Sequence, residues 1–237
     1  MAEFLLIHGS CHGAWCWRDV IPALEGLGHA ARAIDLPSHG DDLTPISEVT
    51  LDAYRDAILN AIEAPVMLVG HSMAGFPIAA AAELAPEKIA RLINVCAYAP
   101  FSGMSLVEMR KLAARQPILD AIELSADRMT WSPIASKARE TFYHDCPDET
   151  VAFAMERLVP QAVLPQATKL ELGENYERVA KSYIRCANDR TIPSEFQSEM
   201  AERFAPSDRY EMRTSHSPFF ADPKGLAALL DKIAVSR

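Results

Sequence analysis

The chain has 237 residues, of which 49% are hydrophobic and 23% charged, and it carries a formal net charge of −9. That length suits one globular domain with a large core, and the acidic balance argues against a nucleic-acid partner, which would favour a basic patch. Five cysteines, Cys11, Cys16, Cys96, Cys146 and Cys186, form no C-x-x-C pair. Such usage fits a reduced compartment, and a cytoplasmic location is expected.

The chain opens Met-Ala-Glu with only four apolar residues after it, so no signal peptide is expected. Glu3 to Gly9 predicts a buried strand, and His8-Gly9-Ser10-Cys11-His12-Gly13 a glycine-bounded turn. Trp17, Ile21, Leu24 and Gly28 recur at helical spacing, which predicts a helix over about Trp15 to Leu27. Arg32 to Leu36 reads as a strand closed by Pro37-Ser38-His39-Gly40. Thr50 can cap a helix whose inner stripe is Leu51, Tyr54, Ile58 and Ile62. The run Val66 to Val69 suits a strand buried on both faces, and the alanine-rich Ile78 to Ala82 a helix. A strand over about Leu92 to Ala97 follows. Alternation of this kind defines the α/β class, with a mainly parallel sheet and helices on both faces. Ala64 to Ala82 is uncharged, but Gly70, His71, Ser72, Gly75 and Pro77 lie within it, and a membrane span would carry those poorly.

The rhythm breaks from Phe101 to about Val179, where Pro117, Pro133, Pro147, Pro160 and Pro165 divide a stretch that reads as short helices without strands. It is too apolar for a linker. The expected organisation is therefore one domain, residues 1–237, with 101–179 as a helical cap inserted after the Leu92–Ala97 strand. Strands then return at Ser182 to Ala187 and Arg209 to Arg213, with helices near Pro193 to Phe204 and from Pro218 to Val235.

Strand, Gly70-His71-Ser72-Met73-Ala74-Gly75, then helix is the context of a nucleophile elbow, with Ala74 standing where the pattern wants glycine. If the helix begins near Met73, Pro77 leaves the Met73 carbonyl without a donor, which predicts a widened first turn. A serine needs a base to take its proton and an acid to orient that base. His216 follows the last strand, and Asp189 follows the strand before it. Asp208 and Asp222 are worse placed, the latter inside a helix, and His144 reads as a surface residue beside Asp145. The predicted triad is Ser72, Asp189 and His216. Backbone N–H groups of Met73 and Ser10 are the expected oxyanion donors. His8 and His12 have the spacing of a metal pair, but the flanking glycines disfavour a helix and no third ligand is near. They read as parts of the loop frame, with no metal.

The segment Leu6 to Trp15, together with Gly70-His71-Ser72, Asp189 followed by Ile192-Pro193-Ser194-Glu195-Phe196-Gln197, and the His216 loop, resembles the α/β-hydrolase group of plant methyl esterases and hydroxynitrile lyases. The salicylate-binding and polyneuridine aldehyde esterases belong to that group. The resemblance implies a Ser-His-Asp triad and no cofactor. Its lyases carry threonine where Gly9 stands and lysine directly after the catalytic histidine, where this chain has Ser217. The esterase branch has alanine, not serine, at position 10, and an apolar residue where Ser217 stands. The expected function is a serine carboxylic-ester hydrolase acting on a small, mainly apolar aryl or methyl ester, with an acyl-enzyme on Ser72. A lyase and a triad-bearing small-molecule receptor are the alternatives. Trp131, Gly9, His12 and Phe153 are the expected substrate contacts. No membrane or nucleic-acid partner is expected, and a homodimer is compatible with the reading.

Overall fold

The computed structural model describes residues 1–236. Strands β1 (Glu3–Ile7), β2 (Ala30–Ile34), β3 (Val66–His71) and β4 (Ile89–Val95) alternate with helices α1 (Val20–Gly26), α2 (Leu51–Asn60) and α3 (Gly75–Leu84). Next come the short helix α4 (Leu106–Arg110), strands β5 (Ile122–Leu124) and β6 (Thr130–Pro133), and helices α5 (Ala135–Phe142) and α6 (Asp148–Met155). Strand β7 (Gln161–Ala162) and helices α7 (Leu164–Ala167) and α8 (Glu174–Arg178) complete that stretch. The chain then returns through β8 (Lys181–Cys186), α9 (Ser194–Ala201), β9 (Arg209–Met212), α10 (Pro218–Ala221) and α11 (Pro223–Val235).

The main sheet has the order β2-β1-β3-β4-β8-β9, with every pair parallel. Side chains alternate between its faces, and in β1 both sets are buried. Leu5 and Ile7 join a core with Tyr54 of α2 and Ile78 of α3. Phe4 and Leu6 join a second core with Leu24 of α1 and Leu230 of α11. Burial of one such side chain stabilises the fold by about 2 kcal/mol. The apolar runs of the sequence thus become strands covered by helices on both sides.

Thr50 caps α2 as expected, its hydroxyl accepting from the Ala53 amide at 3.0 Å. Three helical expectations need correction, each because of a proline. The Trp15–Leu27 helix is a 3-10 turn over Ala14–Trp17 followed by α1. Pro22 can give no hydrogen bond to Arg18, and a fresh start at Val20 places it in a first turn, where none is needed. Likewise α3 starts at Gly75 after a 3-10 turn over Ser72–Ala74, so Pro77 sits in the first turn and no widening follows. The final helix breaks before Pro223, and Asp222 is its N-cap rather than an interior residue, accepting from Gly225 at 2.9 Å.

The segment between β4 and β8 is not free of strands. β5, β6 and β7 form a small antiparallel sheet in which Trp131 pairs with Leu124 and Gln161. Its last helix, α8, is tied to the main body, since Glu83 of α3 accepts from the Gly173 and Tyr176 amides at 2.8 and 3.0 Å. All five cysteines are buried and unpaired. Among the described residues no helix is long and apolar enough to cross a membrane.

Candidate active site

Ser72 directly follows β3 with φ of +56°, a left-handed conformation that costs a serine about 1 kcal/mol or more. The surroundings hold it there. Its carbonyl accepts from the Tyr98 amide at 3.0 Å. A Cβ on Gly75 would lie 2.0 Å from the Tyr98 oxygen, and one on Gly70 would lie 2.7 Å from Ile78 Cδ1. Glycine is therefore required at 75, where α3 crosses the chain after β4, while the methyl of Ala74 is accommodated in the core.

β8 and β9 bring the other two groups to the same edge. His216 Nε2 lies 2.9 Å from Ser72 Oγ, and His216 Nδ1 lies 2.7 Å from Asp189 Oδ2. A carboxylate only accepts, so Nδ1 carries the proton and Nε2 faces the serine hydroxyl as an acceptor. Asp189 also accepts from the Thr191 and Ile192 amides at 2.7 and 3.0 Å and from Gln197 Nε2 at 2.8 Å. Gln197 in turn accepts from the Cys186 amide at 3.0 Å, which locks α9 to the end of β8.

The ring of His216 is backed by that of His71, 4.6 Å away between centroids. His71 Nε2–H donates to the His216 carbonyl at 2.7 Å, and its buried Nδ1 has no partner among the described residues. Burial holds the His71 imidazole well below its usual range, and the nearby His216 adds to this, so it is neutral. The inserted segment fixes the same loop from the other side, where Asp145 accepts from the Ser215 amide at 2.6 Å.

The turn after β1 is framed by its histidines, as the sequence suggests. His8 Nδ1–H donates to the Gly9 carbonyl at 2.8 Å, and Nε2 accepts from the Leu36 amide at 3.0 Å. His12 Nδ1–H donates to the Ser10 carbonyl, and the Tyr143 hydroxyl donates to His12 Nε2, both at 2.7 Å. Both imidazoles are uncharged: burial holds His8 well below the usual value and pulls His12 down to about 4.

Ser10, His12, Met73 and Trp131 line one narrow, mostly apolar pocket with Ser72 and His216. The amides of Ser10 and Met73 donate to no acceptor among the described residues. Two expected contacts lie elsewhere. Gly9 does not line the pocket but passes beneath the serine, where a Cβ would be 2.6 Å from His71 Nδ1 and 2.9 Å from Ser72 Cβ. Phe153 packs against Trp15 and between the guanidinium groups of Arg18 and Arg157, outside the pocket. His144 is half-buried rather than a surface residue, and its buried Nδ1 has no partner among the described residues.

Sequence reasoning missed Gln166, Gln197, Arg110 and Tyr98. Gln166 accepts from Trp131 Nε1 at 3.2 Å and donates to Ser10 Oγ at 2.8 Å. Gln197 had a signal, a polar residue beside Phe196 and Met200 on the buried face of α9. Among the described residues, His71, Cys96 and His216 form the one cluster with metal-ligand spacing. Both nitrogens of His216 face Ser72 and Asp189, and a metal would have to displace them.

A serine on a strained turn, a histidine against it and a buried carboxylate behind that histidine define the class of serine-nucleophile α/β hydrolases. Comparison places the chain within it: residues 4–229 match the model of the alpha/beta hydrolase family, and the chain belongs to that family. Methylesterase 4 of Arabidopsis thaliana is 30% identical over 98% of this chain and 96% of its own. Methylesterase 17 of the same plant is 32% identical over 99% of this chain and 92% of its own. The crystal structure of polyneuridine aldehyde esterase superposes with a TM-score of 0.88 at 25% identity, covering 99% of each chain.

Proposed function

We propose that this protein hydrolyses a small, mainly apolar carboxylic ester of the aryl or methyl type, with Ser72 as nucleophile, His216 as base and Asp189 as the orienting acid. The observation that carries this reading is the unbroken contact Ser72–His216–Asp189 at the floor of an apolar pocket. Ser72 Oγ attacks the ester carbonyl while its proton passes to His216 Nε2. The carbonyl oxygen becomes an oxyanion facing the Ser10 and Met73 N–H groups, which have no other acceptor among the described residues. Collapse breaks the bond to the alcohol, which leaves with the proton from His216. Water then gives a proton to His216 and attacks the acyl-enzyme, releasing the carboxylic acid and restoring Ser72.

The segment 101–179 acts in this reading as the cap, contributing Trp131 and Phe142 to the pocket. Cyanohydrin cleavage is disfavoured at the position next to the base, because Ser217 is fully buried, its hydroxyl has no partner among the described residues, and it lines no part of the pocket. A panel of p-nitrophenyl and methyl esters with mandelonitrile and a lactone tests the assignment. Turnover of small esters with negligible cyanohydrin cleavage is expected. Efficient mandelonitrile cleavage, or inertness toward every ester, contradicts it.

A further inference from the structure

We infer that the pocket selects esters whose apolar body ends in a carboxylate, and that Arg110 is the residue that receives it. This rests on the ester-hydrolase reading and narrows its substrate. Arg110, the last residue of α4, lines the same pocket as Ser72 and His216. It is half-buried, and its one hydrogen bond to another side chain is a long one, Nε to Gln116 Oε1 at 3.3 Å. No carboxylate pairs with it among the described residues, although the chain holds 32 acidic residues against 23 Lys and Arg. Arg115, Arg139 and Arg157, by contrast, each have an acidic partner.

The pocket lining contains no acidic side chain, and the Asp189 carboxylate behind His216 is already saturated with donors. Tyr98, also in the lining, feels the cation: burial pushes its phenol up, and Arg110 opposes that shift. A guanidinium stays charged and offers a planar fork that matches a carboxylate with two parallel hydrogen bonds. Among the described residues it has no anionic partner, and a ligand carboxylate would supply one. The aliphatic and aromatic residues of the same lining, Leu106, Ile118 and Phe142 among them, suit a hydrocarbon spacer.

The experiment compares monomethyl with dimethyl succinate, glutarate, adipate and terephthalate, on wild type, Arg110→Gln and Arg110→Lys. The expected result is a higher kcat/KM for the monoester at one or more spacer lengths, carried mainly by KM and weakened by added NaCl. Arg110→Gln should lower kcat/KM for that monoester about 10- to 100-fold while changing the dimethyl ester little, and Arg110→Lys should recover part of the loss. A preference for the diester at every length, or an equal loss on both esters in Arg110→Gln, overturns the inference. Calorimetric binding of the monoesters to Ser72→Ala, with and without Arg110→Gln, reads the same contact without turnover. Absence of turnover with Arg110-dependent binding contradicts the hydrolase reading alone, and binding indifferent to Arg110 overturns this inference alone.

Discussion

Ser10 is held from two directions, its carbonyl by His12 and its hydroxyl by Gln166. Since Ser10 Oγ accepts from Gln166, its own proton is free to point into the pocket beside the Ser10 and Met73 amides. Trp131 orients Gln166 through its indole N–H, so a residue on β6 reaches Ser10, a donor of the proposed oxyanion site, through two hydrogen bonds. A third donor in such a site supplements two fixed amides, so its removal should cost less than loss of one of them. Ser10→Ala and Gln166→Leu are each expected to lower kcat about tenfold with KM little changed. Because they act on one hydroxyl, the double variant should be no worse than Ser10→Ala. Fully additive losses in ester kinetics would separate Gln166 from the oxyanion and leave it a packing role.

At the level of elements, the sheet was legible because a parallel strand buried on both faces writes itself as an unbroken apolar run, as at Val66 to Val69. The order of the candidate residues was legible for the same reason: each stands directly after a strand whose run could be recognised. Short elements were not. β5, β6 and β7 have three, four and two residues, too few for an alternating pattern to emerge. Prolines misled in one consistent way. Pro22, Pro77 and Pro223 stand in first turns, and the sequence reading ran the first and last of these helices back past their true starts at Val20 and Pro223. Gly9 and Phe153 were misplaced because sequence gives proximity to the site but not direction. Gly9 is beside the serine yet on its far side, and Phe153 turns outward to two guanidinium groups. Arg110 left no trace in the sequence, since nothing in α4 distinguishes a cation facing a pocket from one facing solvent.

Taken as a whole, the molecule buries an unusual set of neutral imidazoles around one sheet edge. His8, His12, His39 and His71 are all shifted downward, in each case first by burial. Unfolded, each would titrate near about 6.5. Between that value and the lower folded values the unfolded chain binds more protons, so stability is full above the unfolded value and falls as pH drops through it. A shift from pH 7.5 to 5.5 should cost about 1 kcal/mol for each of His8, His12 and His71, whose shifts are large, read from urea midpoints. Equal midpoints at the two values would contradict the burial of neutral imidazoles.

The account's central claim is that Ser72 and His216 form one reacting unit, and the measurement that tests it most directly is the ester kinetics of Ser72→Ala, His216→Ala and the double variant. All three are expected to lose kcat by a similar factor, about 10⁴-fold or more, because removing either partner leaves no activated nucleophile. Multiplying losses in the double variant, or a His216→Ala enzyme that keeps a tenth of the activity, would contradict the claim and move the base to another residue.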